Sequence, residues 1–207
     1  MYQPSHFVQS DAAQIRALVA AHPLATVFHH AGGAPTADHM PLLWDSDGGS
    51  HGTLRGHVAR ANPLWREMAG QTVLAVFHGP QAYITPSWYP SKAATGKAVP
   101  TWNYAVVHLR GTLRAVDDAA WLHAFVDRLT HAHEDARAHP WQVSDAPADY
   151  RDAMVRAIVG LEIAVTQVEA KWKVSQNRSE PDRLGAAAGL MAEPAEAARA
   201  MAALIPR

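Results

Sequence analysis

Residues 76–92 read Val-Phe-His-Gly-Pro-Gln-Ala-Tyr-Ile-Thr-Pro-Ser-Trp-Tyr-Pro-Ser-Lys, and residues 99–110 read Val-Pro-Thr-Trp-Asn-Tyr-Ala-Val-Val-His-Leu-Arg. Two extended, aromatic-rich blocks are joined by a loop of small residues and lysines. A strand buried in a core wants apolar side chains facing inward. Here Trp88, Tyr89, Trp102 and Tyr104 stand among Ser87, Lys92, Thr101 and Asn103. Flat aromatic surfaces interleaved with hydroxyl, amide and ammonium groups suit a planar ligand that carries a phosphate. Residues 102–116 form the longest extended candidate, with Gly111 predicting a bulge or a corner bend.

Working outward, Ser10 or Asp11 caps a helix over 12–21 that ends at His22-Pro23. Strands follow at 24–30 and, after the Gly32-Gly33 turn, at 37–44; a polar hairpin loop covers 45–52. A short strand at 53–58 leads to Asn62-Pro63, where asparagine caps a helix that carries Leu64, Trp65 and Met68 and stops at Gly70. Residues 72–78 and 82–85 read as two strands, and 91–99 as loop. The spacing of Trp121, Leu122, Phe125, Val126 and Leu129 predicts a helix over 117–132, and 147–158 is another. A last strand spans 161–168, a polar loop spans 171–178, and alanine-rich helices cover 186–190 and 194–204. Strands crowd the first two-thirds and helices the end, the pattern of an α+β fold in one domain over 1–207.

The chain has 207 residues, enough for one core that buries roughly 70% of the unfolded surface. Its 18 Lys and Arg against 19 Asp and Glu give a net charge of -1, so no global field draws it to nucleic acid. Direct DNA binding would need a local basic patch, such as one made by dimerisation. With no cysteine, disulfides and thiolate metal sites are excluded. The N-terminus lacks a charged region followed by an apolar run, and no stretch approaches a membrane span, so a soluble cytoplasmic protein is expected.

Several motifs together resemble the PaiB-like FMN-binding family. They are residues 79–89, Pro100-Thr101-Trp102-Asn103-Tyr104 and Lys173-Val174-Ser175-Gln176-Asn177-Arg178, with Met1 to Phe7, His39-Met40-Pro41-Leu42 and residues 56–65. Members are commonly named negative transcriptional regulators. The resemblance implies a split β-barrel related to the pyridoxamine phosphate oxidase fold, with peripheral helices and the C-terminal helices packed on the barrel. It also implies a homodimer with FMN near the subunit interface. Mapped on these motifs, the expected FMN contacts are His57, Arg60, Asn62, Tyr83, Ser87, Trp88, Thr101, Trp102, Asn103, Lys173, Gln176 and Arg178.

Each has a plainer alternative. Trp88 and Trp102 suit ordinary packing, Arg60 a surface ion pair or carbonyl cap, Asn62 its helix cap, and 173–178 a solvated loop. Thr101 and Asn103, two apart on a strand, share a face, with Trp102 opposite.

Thirteen histidines invite a metal reading. Yet His123, His131, His133 and Glu134 lack the His-Glu-x-x-His spacing, and His29-His30 point to opposite sides of a strand, so no metal is expected. No nucleophile elbow, dinucleotide-binding turn or phosphate-cradling Walker loop is present. No catalytic base is evident, and enzyme status stays open. The C-terminal helices carry too few basic residues for a recognition helix. The readings carried forward are a flavin-dependent regulator, an NAD(P)H-dependent flavin oxidoreductase and, third, a haem-handling split barrel.

Overall fold

Asp11 starts the first helix, α1 (Ala12–Ala21), by accepting from the amides of Ala13 and Gln14 at 2.9 and 3.1 Å. The structure, a computed structural model, describes residues 1–207. After α1 come β1 (Leu24–His29), β2 (Thr36–Pro41), β3 (Leu43–Asp45), β4 (Thr53–Ala59), a one-turn α2 (Leu64–Glu67) and β5 (Thr72–Ile84). There follow α3 (Pro90–Thr95), β6 (Thr101–Val116), α4 (Ala119–Glu134), α5 (Ala148–Arg156), β7 (Ile158–Lys173), α6 (Glu180–Ala192) and α7 (Glu196–Leu204). The seven strands form one sheet in the order β2-β1-β5-β6-β7-β4-β3.

Several expectations are corrected. Residues 72–84 are one strand, not two. Gly79 does not break it: a side chain there would meet Leu18 of α1 at 2.6 Å, so the glycine lets α1 lie close. Pro80, which has no N–H, lies beyond the β1–β5 ladder at Thr26↔Val76, Val27↔Ala75 and Phe28↔Leu74. The presumed loop 91–99 contains α3, ended by Gly96 in the left-handed region at φ 67°. Strand β7 runs through Lys171 to Lys173 rather than stopping at 168, with the ammonium groups of both lysines held by hydrogen bonds to Tyr2 and to Thr101 and Trp102. β6 runs on through Gly111, where a Cβ would come within 2.4 Å of the Ala164 carbonyl on β7, so the glycine serves close strand approach.

Contacts divide the chain into two compact units. The first comprises Met1–His22, Phe77–His108 and Glu169–Arg207. Its core holds Phe77, Ile84, Val107, Ala186, Leu190 and Met201, all essentially inaccessible. The second comprises Pro23–Val76 and Leu109–Val168, around Leu54, Leu109, Leu113, Phe125, Leu161 and Ile163. In this second unit Arg55 on β4 binds Asp45, Asp47 and Glu162, tying the β3–β4 hairpin to β7.

Candidate flavin site

In the first unit the N-terminal segment lies along the end of β7. The Met1 ammonium reaches Glu169 at 2.7 Å, Gln3 donates to the Ala170 carbonyl at 2.9 Å, and Val8 bridges to Lys171. This places Tyr2 beside Lys171, whose Nζ donates to the Tyr2 carbonyl at 3.1 Å and lies 5.4 to 5.9 Å from the rings of Tyr2, Phe7 and Tyr104. A cleft of about 480 Å³ opens here, lined among others by Tyr2, His78, Trp102, Tyr104, His108 and Lys171. That volume lies within the range of small-molecule sites, roughly 300 to 1,000 Å³.

Two residues further along β7, Lys173 donates to the Thr101 hydroxyl and to the Trp102 carbonyl, the latter at 2.7 Å. Burial, then the neighbouring charges of Lys171 and Arg178, hold the Lys173 ammonium below the ordinary lysine value. Three cations thus share one neighbourhood. None of their head groups is ion-paired; Arg178 sits over the Tyr89 ring at 5.0 Å instead. Arg178 also helps hold the buried Asp182 carboxylate below its ordinary value, so Lys171 and Lys173 are the cations of the cluster for which no carboxylate is close. A cationic cluster next to an aromatic cleft suits a phosphorylated planar ring.

The backbone around this cluster is held by side chains. Asn103 is buried, and its amide donates to Ser175 at 2.9 Å while its carbonyl oxygen has no partner. An unpaired buried acceptor is costly. The Tyr89 hydroxyl, also buried, is likewise unpaired. Ser175 occupies the left-handed region at φ 63°, and Gln176 braces that turn by accepting from the Val174 amide at 2.8 Å and donating to the Trp172 carbonyl. The Arg178 amide closes it on Ser175 at 2.9 Å.

The structure therefore brings Thr101, Trp102, Asn103, Lys173, Gln176 and Arg178 together in one unit. Trp102 points away from Asn103, as the two-residue period demands, and is half-exposed at the cleft rim rather than in the core. Tyr83 meets it edge-on, with ring centroids 6.1 Å apart. Ser87 is exposed and accepts from Lys92 at 3.3 Å; Trp88 lies against Gly189 of α6.

The remaining three predicted residues belong to the second unit. Arg60 commits its guanidinium to Asp117 at 2.6 and 2.8 Å and to the carbonyls of Arg156 and Ile158. Asn62 accepts from the Leu64 amide at 2.8 Å, capping α2, and donates to Asp38 at 2.7 Å. His57 packs edge-on against Phe125 with centroids 5.9 Å apart, its Nδ1 buried without a partner.

Sequence reading missed Tyr2, His78 and Lys171. Tyr2 stood in the Met1 to Phe7 motif and His78 in the 76–92 block without being placed at the site; for Lys171 the signal was its spacing from Lys173, since the two share a face once β7 is extended.

Burial holds the His57 imidazole below its ordinary value of 6.5, so the unfolded chain takes up this proton first as pH falls. Its contribution to stability is complete above the unfolded value and is lost as pH drops toward the folded one. Replacing His57 with leucine is expected to flatten the dependence of Tm on pH between about 7 and 5. Differential scanning calorimetry across that interval is the check.

The profile of a family described as "Putative FMN-binding domain" matches residues 1–167. The chain belongs to this FMN-binding family. It is 32% identical over 206 residues, 99% of this chain and 96% of the other, to the protease synthase and sporulation protein PAI 2 of Bacillus subtilis. Among solved structures it is similar to the flavocytochrome Anf3 of Azotobacter vinelandii, with TM-score 0.60, 14% identity, and coverage of 86% of this chain and 75% of that one. It is also similar to an FAD and heme binding protein of Mycobacterium smegmatis, with TM-score 0.59, 18% identity, and coverage of 79% and 72%. The fold of this FMN-binding family member is α+β and of the split-barrel flavoprotein class, and FMN is its cofactor. No helix is long and apolar enough to cross a membrane.

Proposed function

We propose that this protein is a homodimeric, flavin-dependent regulator that works as a single FMN-binding unit over 1–207. The observation that carries the site is the cluster of Lys171, Lys173 and Arg178, whose Lys171 lines the cleft of Tyr2, Trp102 and Tyr104. Lys173, Arg178 and the Thr101 hydroxyl would hold the phosphate, a doubly charged group suited to ammonium and guanidinium donors. Trp102, Tyr104 and Tyr2 would cover the ring. When bound, FMN supplies one- or two-electron redox chemistry.

The regulatory part draws on the B. subtilis relative, whose name ties it to protease synthesis and sporulation. With a net charge of -1, direct DNA contact would depend on a basic surface formed by two subunits. Titration of the FMN-loaded protein with duplex DNA should therefore give binding that weakens as salt rises. No binding at low salt, where phosphate contacts are strongest, removes the repressor form of the proposal. The half-exposed Trp102, offering an aromatic surface beside the cleft, favours a second reading, an oxidoreductase that admits NAD(P)H. Anaerobic addition of NAD(P)H to the FMN-loaded protein tests it: bleaching of the flavin band supports that reading, and an unchanged spectrum removes it.

A further inference from the structure

A second cleft of about 420 Å³ lies in the first unit on the other side of Trp102 and Gln81. Its walls are Tyr83 on β5, Trp88, Trp102, and Leu190 and Ala198 of α6 and α7. Tyr83 and Trp102 are each about half-exposed, 49% and 50%, so much of their aromatic surface is uncovered. Glu193, in the turn between α6 and α7, is the only charged residue of the lining. The nearest arginine of that turn, Arg199, is turned onto the backbone carbonyls of Glu193 and Pro194.

Three electron-rich rings and a carboxylate, with no cation among them, attract positive charge and repel negative charge. A phosphate would find no donor here, which separates this cleft from the Lys171, Lys173 and Arg178 cluster. The volume matches one or two rings better than a protein surface, which normally engages a broad and flat patch.

We propose that this cleft binds a small organic cation, of the amidinium or alkylammonium class, as a ligand distinct from the flavin. The inference rests on the flavin lying in the cleft of Tyr2 and Tyr104, with which this one shares only Gln81 and Trp102. Through Trp102, occupancy of one cleft reaches the wall of the other.

Three isosteric probes separate charge from shape: benzamidinium, neutral benzamide and anionic benzoate. Titration calorimetry on FMN-free protein should show saturable benzamidinium binding, with benzoate at least about tenfold weaker. Glu193→Gln should weaken benzamidinium about two- to fivefold, as expected for a solvent-exposed charge pair, and leave benzamide unchanged. Ala197→Phe, at an exposed position of α7 that lines the cleft, should block all binding while Tm stays near that of the parent. FMN affinity measured on the same variants reports on the flavin site independently. The proposal is overturned by absence of saturable benzamidinium binding, by benzoate binding equally well, or by indifference to Glu193→Gln. It is equally overturned if sedimentation shows that Ala197→Phe converts a dimer to a monomer, since a second copy of the chain would then be the occupant.

Discussion

Lys173→Met is expected to weaken FMN binding about tenfold to a hundredfold, the loss that follows removal of one charged hydrogen-bond donor worth roughly 1.5 to 3 kcal/mol. Lys173→Arg should retain most of the affinity, because a guanidinium keeps the charge and adds donors. The measurement is flavin absorbance or fluorescence titration of apoprotein, with Tm recorded for each variant. The effect follows from how Lys173 is held. Its Nζ is anchored by the Thr101 hydroxyl and the Trp102 carbonyl, neither of which neutralises it, and it stands near two further cations. Such a cluster is unfavourable by itself and is relieved by an anion. The same geometry has a pH consequence. Because burial and like charge depress its pKa, the free site loses this positive charge at a lower pH than an ordinary lysine would. FMN affinity should thus begin to fall early on the alkaline side, and Lys173→Arg should remove that early fall. An unchanged affinity in Lys173→Met would place the phosphate elsewhere.

Much of the fold was legible because local chemistry and packing agree. Asp11 caps α1 as its position suggests, and the apolar stripe of α4 supplies the buried Leu122 and Phe125. The alternation through 101–116 is strong enough to mark β6 nearly to its ends. Errors fell where one residue type has two uses. Gly79 and Pro80 read as a break, but glycine admitted Leu18 and proline lay beyond a ladder. Lys171 and Lys173 read as loop because charge suggests solvent, whereas in the strand their ammonium groups find hydrogen-bond acceptors within the fold.

The site was legible by a different route. The Thr101 and Asn103 period correctly put both on one face and Trp102 on the other, since strand geometry fixes this whatever the tertiary environment. The partners of those faces were not legible. That Asn103 meets Ser175 and Thr101 meets Lys173, each 72 positions away in the chain, depends on strand order. Arg60 and Asn62 show the converse. Their local alternatives, an ion pair and a helix cap, were visible in sequence, and both contacts are present.

Gly185→Ala should lower stability, whereas an alanine in the middle of an exposed helix would normally raise it by up to about 1 kcal/mol. The sign turns on what lies opposite. In α6 a Cβ on Gly185 would come within 2.1 Å of the Trp88 carbonyl oxygen, a backbone atom. That segment cannot retreat cheaply. Ser91, three residues on, is tied to the buried Asp182 carboxylate by its amide at 3.1 Å and its hydroxyl at 2.7 Å. Overpacking of this kind costs roughly 1 to 3 kcal/mol, which exceeds the propensity gain. A Tm lower by several degrees is the expected calorimetric result, at roughly 2 to 4 °C per kcal/mol for a chain of this size. Gly189→Ala, one turn later, meets the Trp88 indole at 2.2 Å, but a partly exposed side chain can yield more readily than a backbone carbonyl. Its cost should be smaller, with the change appearing in tryptophan fluorescence as the ring shifts. Equal losses in the two variants would mean that the 86–91 segment moves as one body and that its attachment through Asp182 is weak.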